Sequence, residues 1–150
     1  MKKLPGATDR ALKKIFLGVP FLSNLKLKLG PVGPGFARVS MNFQARLSQV
    51  HGFMHGGVVA ALADTAATYA SNTLLFPNRE TITVELKINY IAPVKTRRVY
   101  ADATVLHSGS KTSISEVKVF DSAKKLCAVA LITNLILPRG TFNIPIRLKK

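Results

Sequence analysis

Residues 56–75 set the strongest limit on what this chain can fold into. Val58, Val59, Leu62, Tyr69 and Leu74 are mixed with Ala60, Ala61, Ala63, Ala66, Ala67 and Ala70. A surface helix carries one apolar stripe, whereas a helix apolar on nearly every side has to be covered on most of them. The alanines leave room for another backbone to approach closely. The rest of the chain must therefore supply a wrapping for this segment.

The flanking segments read mainly as strands. Leu12, Ile15 and Phe16 share one side of a short helix over Thr8–Leu17, about residues 8–18 in all. Thr8 or Asp9 is its expected cap and Pro20 its stop. Leu25–Leu29 alternates strictly and reads as a strand with one wet face. Gly30–Gly35, with Pro31 and Pro34, reads as a turn-rich link, and Phe36–Phe43 as a second strand. After Pro77-Asn78, the residues Ile82, Val84, Leu86, Ile88 and Tyr90 alternate with Thr83, Glu85, Lys87 and Asn89 until Pro93. This is a period of two, which places Thr83 away from the apolar face. Val99–His107, Thr112–Phe120 and Leu126–Leu137 complete the strands. Strands joined by short turns predict an antiparallel sheet. The fold class is thus α+β, a curved antiparallel sheet wrapped around one long central helix. With 150 residues, of which 47% are hydrophobic, the chain can bury one core without staples. A single domain over residues 1–150 is expected, with a tail over about 138–150 whose role is open.

Charge and cysteine usage narrow the function. The net charge is +15, from 22 bases against seven acids. Such a field attracts nucleic acid, anionic lipid or a phosphate-bearing ligand. The bases are spread out, however: Lys2, Lys3, Arg10, Lys13 and Lys14, then Lys26–Lys28, Lys95–Arg98, and Arg147, Lys149 and Lys150. No zinc-ligand spacing, P-loop or RNA-reading aromatic motif accompanies them. His51, His55 and His107 have no metal-binding spacing, so no metal is expected. The single cysteine, Cys127, cannot form an internal disulfide and sits in an apolar run, which suits a buried structural thiol. No run reaches the roughly 18–20 apolar residues of a membrane span. Gly18 and Pro20 interrupt the one apolar stretch near the start, and no cleavage pattern follows. A cytoplasmic protein is expected.

Asp64 is the anomaly. It is the only acid between residues 10 and 79, and it stands mid-way along the most apolar segment. Asp is a poor helix-interior residue. A buried carboxylate without a partner costs several kcal/mol or shifts its proton affinity. Two readings fit: a structural hydrogen bond or ion pair, or a carboxylate facing a cleft as general base or nucleophile. His55-Gly56-Gly57 stands at the start of the same helix, where backbone N–H groups lack partners. Two glycines there form either a tight entry turn or a donor site for a carbonyl oxygen gaining negative charge. Gly56 and Asp64 are eight residues apart, about 12 Å along a helix axis. Groups acting on one carbonyl should each lie within about 3–3.5 Å of the reacting atoms. Two helices crossing a two-fold interface can satisfy this, with Asp64 of one subunit facing Gly56 of the other.

The stretch Gln49-Val-His-Gly-Phe-Met-His55-Gly56-Gly57-Val-Val-Ala-Ala-Leu-Ala-Asp64 resembles the signature of hotdog-fold acyl-CoA thioesterases. The similarity is to the branch that includes the phenylacetate-pathway thioesterases. Asn89–Pro93 and the turn at Gly109–Thr112 fit as well, and the likeness covers about residues 25–137. It implies hydrolysis of acyl-CoA by a homodimer or a tetramer of two dimers, with no cofactor other than the coenzyme A of the substrate. It also implies that the Gly56 N–H holds the thioester carbonyl and that Asp64 activates water or attacks directly. His55 would shape the donor turn, and Thr83 would position the water. Where the family commonly has Asn, six residues before the histidine, this chain has Gln49, which keeps the amide but adds a methylene. Gly57 belongs to the same substrate-facing turn. Lys95, Arg97, Arg98 and Lys111 are loop bases able to pair with the phosphates of coenzyme A. The alternatives are a non-catalytic acyl-CoA binder or regulator on this fold and, more remotely, a dehydratase, for which His55 lies at the wrong end of the helix from Asp64.

Overall fold

The computed structural model describes residues 3–95 and 97–141. Thr96, Lys2 and the tail bases Arg147, Lys149 and Lys150 fall outside the described residues. Two short helices, α1 (Gly6–Gly18) and α2 (Pro20–Asn24), lead into β1 (Lys28–Gly33) and β2 (Phe36–Asn42). A 3-10 turn at Ala45–Leu47 precedes the long helix α3 (Gly56–Leu75). Four strands follow: β3 (Arg79–Tyr90), β4 (Arg98–Ser108), β5 (Thr112–Asp121) and β6 (Leu126–Pro138). They form one antiparallel sheet in the order β1-β2-β4-β5-β6-β3, with β1 and β3 at its edges.

The helix α3 lies against this sheet, and its small residues set the spacing. Ala63, Ala66, Ala67 and Ala70 are fully buried with Leu62. They face Ala37 and Val39 of β2, Ala101 and Ala103 of β4, and Val117 and Val119 of β5, all of them equally buried. Alanine opposite alanine lets helix and sheet close without voids. Phe16 of α1 packs edge-on against Tyr69 at 5.1 Å between ring centres, so α1 covers the flank of α3. Burial pushes the Tyr69 phenol well above its ordinary range.

Three local expectations change. Thr8 and Asp9 lie inside α1, which starts at Gly6 with no side-chain cap; Asp9 instead pairs with Lys13 one turn on, at 2.7 Å. α1 does stop before Pro20, at Gly18, but Pro20 also opens a second helix that was not expected, α2, where proline at the first helical position loses no hydrogen bond. The first strand begins three residues later than its alternation suggests. Lys26 has φ of 56°, which turns the chain, and β1 runs through Gly30 and Pro31 to Gly33. The turn is confined to Pro34-Gly35, where Gly35 has φ of 71° and its N–H donates to Thr73 Oγ1 at 2.8 Å.

The fourth change concerns the site. The alternation in β3 is broken by a bulge between Thr83 and Glu85. Thr81 and Thr83 pair with the inward-facing Ile136 and Asn134 of β6. After the bulge Leu86, Ile88 and Tyr90 pair with the inward-facing Ile132, Ala130 and Ala128. Thr83 therefore shares the helix-side face with Leu86 and Ile88, while Ile82 and Val84 are exposed.

Candidate active site

The N-terminus of α3 is built by a short irregular segment. The His55 N–H donates to Leu47 O at 2.9 Å and the Met54 N–H to Val94 O at 3.1 Å, fixing where the helix starts. His55 is the N-cap, and its Nδ1 accepts from the Gly57 N–H at 2.9 Å. The Gly57 donor is thus spent within the turn. No acceptor for the Gly56 N–H is found among the described residues, which leaves that donor at the positive end of α3. The tyrosine that ends β3 closes over it: Tyr90 Oη donates to Gly56 O at 2.8 Å. A Cβ on Gly56 would stand 3.1 Å from the Tyr90 ring, so with any other residue here the ring would have to give by a few tenths of an ångström.

Beside this turn is a cavity of about 340 Å³. Gln49, Phe53, Gly56, Tyr90, Pro93 and Cys127 contribute to its wall, which brings together two of the residues singled out in the sequence, Gln49 and Gly56. The Gln49 side chain accepts from the His51 N–H, which holds it within its own turn. Cys127 is buried, and that burial pushes its thiol up. Lys95 Nζ stands 4.4 Å from the centre of the Phe53 ring, at the edge of the same cavity. A neighbouring cavity of about 440 Å³ is lined by Asn42, Phe43, Lys95 and Arg97. Arg98 Nη2 reaches Ser40 Oγ at 3.3 Å. Lys111 is apart from these bases. It precedes β5, at the far end of β4 from Arg98, and ten strand steps span roughly 33 Å.

Asp64 is not in the wall of the cavity beside Gly56. It is half-buried on α3, and its Oδ1 accepts from Thr83 Oγ1 at 2.6 Å. Asn134 Nδ2 donates to the same threonine oxygen at 2.9 Å. Among the described residues Asp64 has no other hydrogen-bond partner and no ion pair. The carboxylate is therefore held through Oδ1, and Oδ2 has no hydrogen-bond partner among the described residues. No group of His, Cys, Asp and Glu among the described residues could hold a metal ion. No helix among them is long and apolar enough to cross a membrane.

Sequence reasoning did not assign roles to Tyr90 or Asn134. Tyr90 carried a faint signal, as the one polar-tipped residue in the apolar set of its strand. Asn134 carried another, as the lone amide in the apolar run of β6.

Comparison with known proteins places this arrangement. The thioesterase superfamily model matches residues 51–128, just over half the chain. A protein of Saccharolobus solfataricus named as an esterase is 34% identical over 66% of this chain and 65% of its own length. The 1,4-dihydroxy-2-naphthoyl-CoA hydrolase of Listeria monocytogenes is 28% identical over 71% of this chain and 87% of its own. The PaaI protein of the Escherichia coli phenylacetic acid degradation operon has the same fold, with a TM-score of 0.83 at 22% identity over 90% of this chain and 96% of that one. With a helix-wrapping sheet and a family match that spans the donor turn and the helix carboxylate, the chain belongs to the thioesterase superfamily, whose fold is the hotdog.

Proposed function

We propose that this thioesterase hydrolyses acyl-CoA esters to free acid and coenzyme A at a site shared by two subunits. The observation that carries the reading is the carboxylate of Asp64, tethered through Oδ1 to Thr83 and open at Oδ2. In this reading Oδ2 takes a proton from water, whose oxygen bonds to the thioester carbon. Charge that develops on the carbonyl oxygen is met by the Gly56 N–H at the positive end of α3. Collapse of the adduct breaks the carbon–sulfur bond, and the proton passes from Asp64 to the departing sulfur.

Gly56 and Asp64 of one chain are about 12 Å apart along α3, so each site pairs Asp64 of one subunit with Gly56 of another. The free edge of β3, with Ile82 and Val84 exposed, supports pairing with a second copy. Dimer and tetramer both accommodate this. His55 acts by capping the donor turn, and Gln49 forms part of the acyl-thioester wall. Lys95 and Arg97, which line the second cavity, and Arg98, next in the chain, suit the phosphates of coenzyme A. Lys111 can join them only from another subunit. The Listeria relative, named for an aromatic acyl-CoA, supports that substrate class. This reading assigns the protein no cofactor of its own.

The test is release of free thiol from a panel of medium-chain and aromatic acyl-CoA esters by wild type and Asp64→Ala. Turnover by wild type that vanishes in the folded variant is expected. Undiminished turnover by the variant would discard this mechanism, and no turnover by wild type would favour a non-catalytic acyl-CoA binder.

A further inference from the structure

Asn134 sits in the middle of β6 with no exposed surface, a buried amide in a strand that, Thr133 apart, is apolar. Such a group is costly unless every polar atom is satisfied. Here the partners form a directed series. Asn134 Nδ2 donates to Thr83 Oγ1 at 2.9 Å, and Ser71 Oγ of α3 donates to Asn134 Oδ1 at 3.3 Å. Ser71 Oγ lies 2.9 Å from Ser113 Oγ and 3.5 Å from Ser115 Oγ of β5, and all three serines are fully buried. Either hydroxyl of each serine pair can be the donor, and with the one Ser71 proton given to Asn134 the serines of β5 are able to donate to Ser71.

The direction matters for the outermost link. A threonine hydroxyl carries one proton and can rotate it to any acceptor nearby. The Asn134 NH₂ offers no lone pair, so the Thr83 proton cannot turn toward β6. Its remaining acceptor at short range is Asp64 Oδ1, at 2.6 Å. The amide is oriented from the carboxylate end: Asp64 only accepts, so Thr83 gives it its single proton and can only accept from Asn134, which turns the amide oxygen toward the Ser71 hydroxyl. The series therefore runs from serine to amide to threonine to carboxylate, and each bond polarises the next toward the negative charge.

We propose that Asn134 is a positioning residue: by fixing the direction of the Thr83 proton it locks Asp64 through Oδ1 and presents Oδ2 to the reacting water. This rests on Asp64 being the general base, as inferred above. Asn134 touches no substrate and acts only through Thr83.

The test compares wild type with Asn134→Leu, Ser71→Ala, Thr83→Val and the double variant Thr83→Val/Asn134→Leu, using thiol release from one good acyl-CoA substrate. Folding is followed by circular dichroism and thermal melting. In Asn134→Leu, kcat should fall by about 10-fold or more while KM stays within about two-fold of wild type. The double variant should be no slower than Thr83→Val by more than about two-fold, since both changes cut one series. Ser71→Ala removes only a hydroxyl and keeps the proposal testable if Asn134→Leu does not fold; a kcat loss of about three-fold at unchanged KM is expected. Losses that multiply in the double variant, an unchanged kcat in Asn134→Leu, or an unchanged kcat in Ser71→Ala would overturn the assignment. Asp64→Ala separates the two claims: if it abolishes turnover and the Asn134 and Ser71 variants do not matter, the positioning role fails while the general base stands.

Discussion

The Thr83 hydroxyl donates to the Asp64 carboxylate at 2.6 Å, within one chain and across the face between β3 and α3. Removing that donor leaves Asp64 free to rotate. Thr83→Val should lower kcat by about 10-fold, and Thr83→Ser, which keeps the hydroxyl, should recover most of it. Steady-state kinetics on both variants decides this, and equal rates in the valine variant and wild type would separate Thr83 from the chemistry.

A side chain on Gly56 would crowd the Tyr90 ring at 3.1 Å. Gly56→Ala should shift the ring by a few tenths of an ångström, strain the 2.8 Å bond from Tyr90 Oη to Gly56 O and disturb the carbonyl donor. A fall in kcat/KM of about 10-fold or more is expected. Tyr90→Phe keeps the ring and loses only the hydroxyl, so its loss should be milder, about three-fold.

A site assembled from two subunits has a mixing signature. Asp64→Asn and Gly56→Ala each damage both sites of their own homodimers. In a mixed dimer, one site combines both defects and the other is intact. Random reassembly of the two variants should restore about a quarter of wild-type activity. Sites complete within one chain would show no recovery on mixing.

His55 holds the first turn of α3 by accepting from the Gly57 N–H at 2.9 Å. His55→Ala should cost about 1 kcal/mol of stability, or about 3 °C in melting temperature for a chain of this size. His55→Asn offers another capping side chain and should lose less. Thermal melts of the three proteins at one pH test the order.

Cys127 is only 1% exposed, and burial pushes its thiol up. The reactive thiolate is therefore scarcer at neutral pH than in an exposed cysteine, and it gains population only as pH rises. An aromatic disulfide reagent should leave Cys127 unlabelled in the native protein and label one thiol per chain after denaturation. Rapid native labelling at pH 7 would contradict the packing of β6 against α3.

The central helix was legible from its composition, and Gly56–Leu75 in the sequence is Gly56–Leu75 in the structure. Such a segment has few ways to hide its surface. The later strands were legible to within a few residues because turns punctuate them. At β1 alternation misled, because the positive φ of Lys26 has no signature in a Leu-Lys-Leu-Lys run and β1 accepts Gly30 and Pro31 at a sheet edge. In the site, Asp64 and the donor turn stood out by residue type. The partners of Asp64 did not. An unbroken alternation from Ile82 to Tyr90 conceals a bulge, and Asn134 is one amide among apolar neighbours until β6 is laid beside β3.

The bulge at Val84 makes the alignment of Asp64 depend on parity. Thr83 reaches the carboxylate because β3 holds one residue more than its neighbour between Thr83 and Glu85. Val84 is itself exposed, so its side chain is replaceable. Taking the residue away would instead turn one half of β3 inside out, sending either the threonine or Leu86 and Ile88 to solvent. At this point the count of residues, rather than their identity, connects the strand to the reaction.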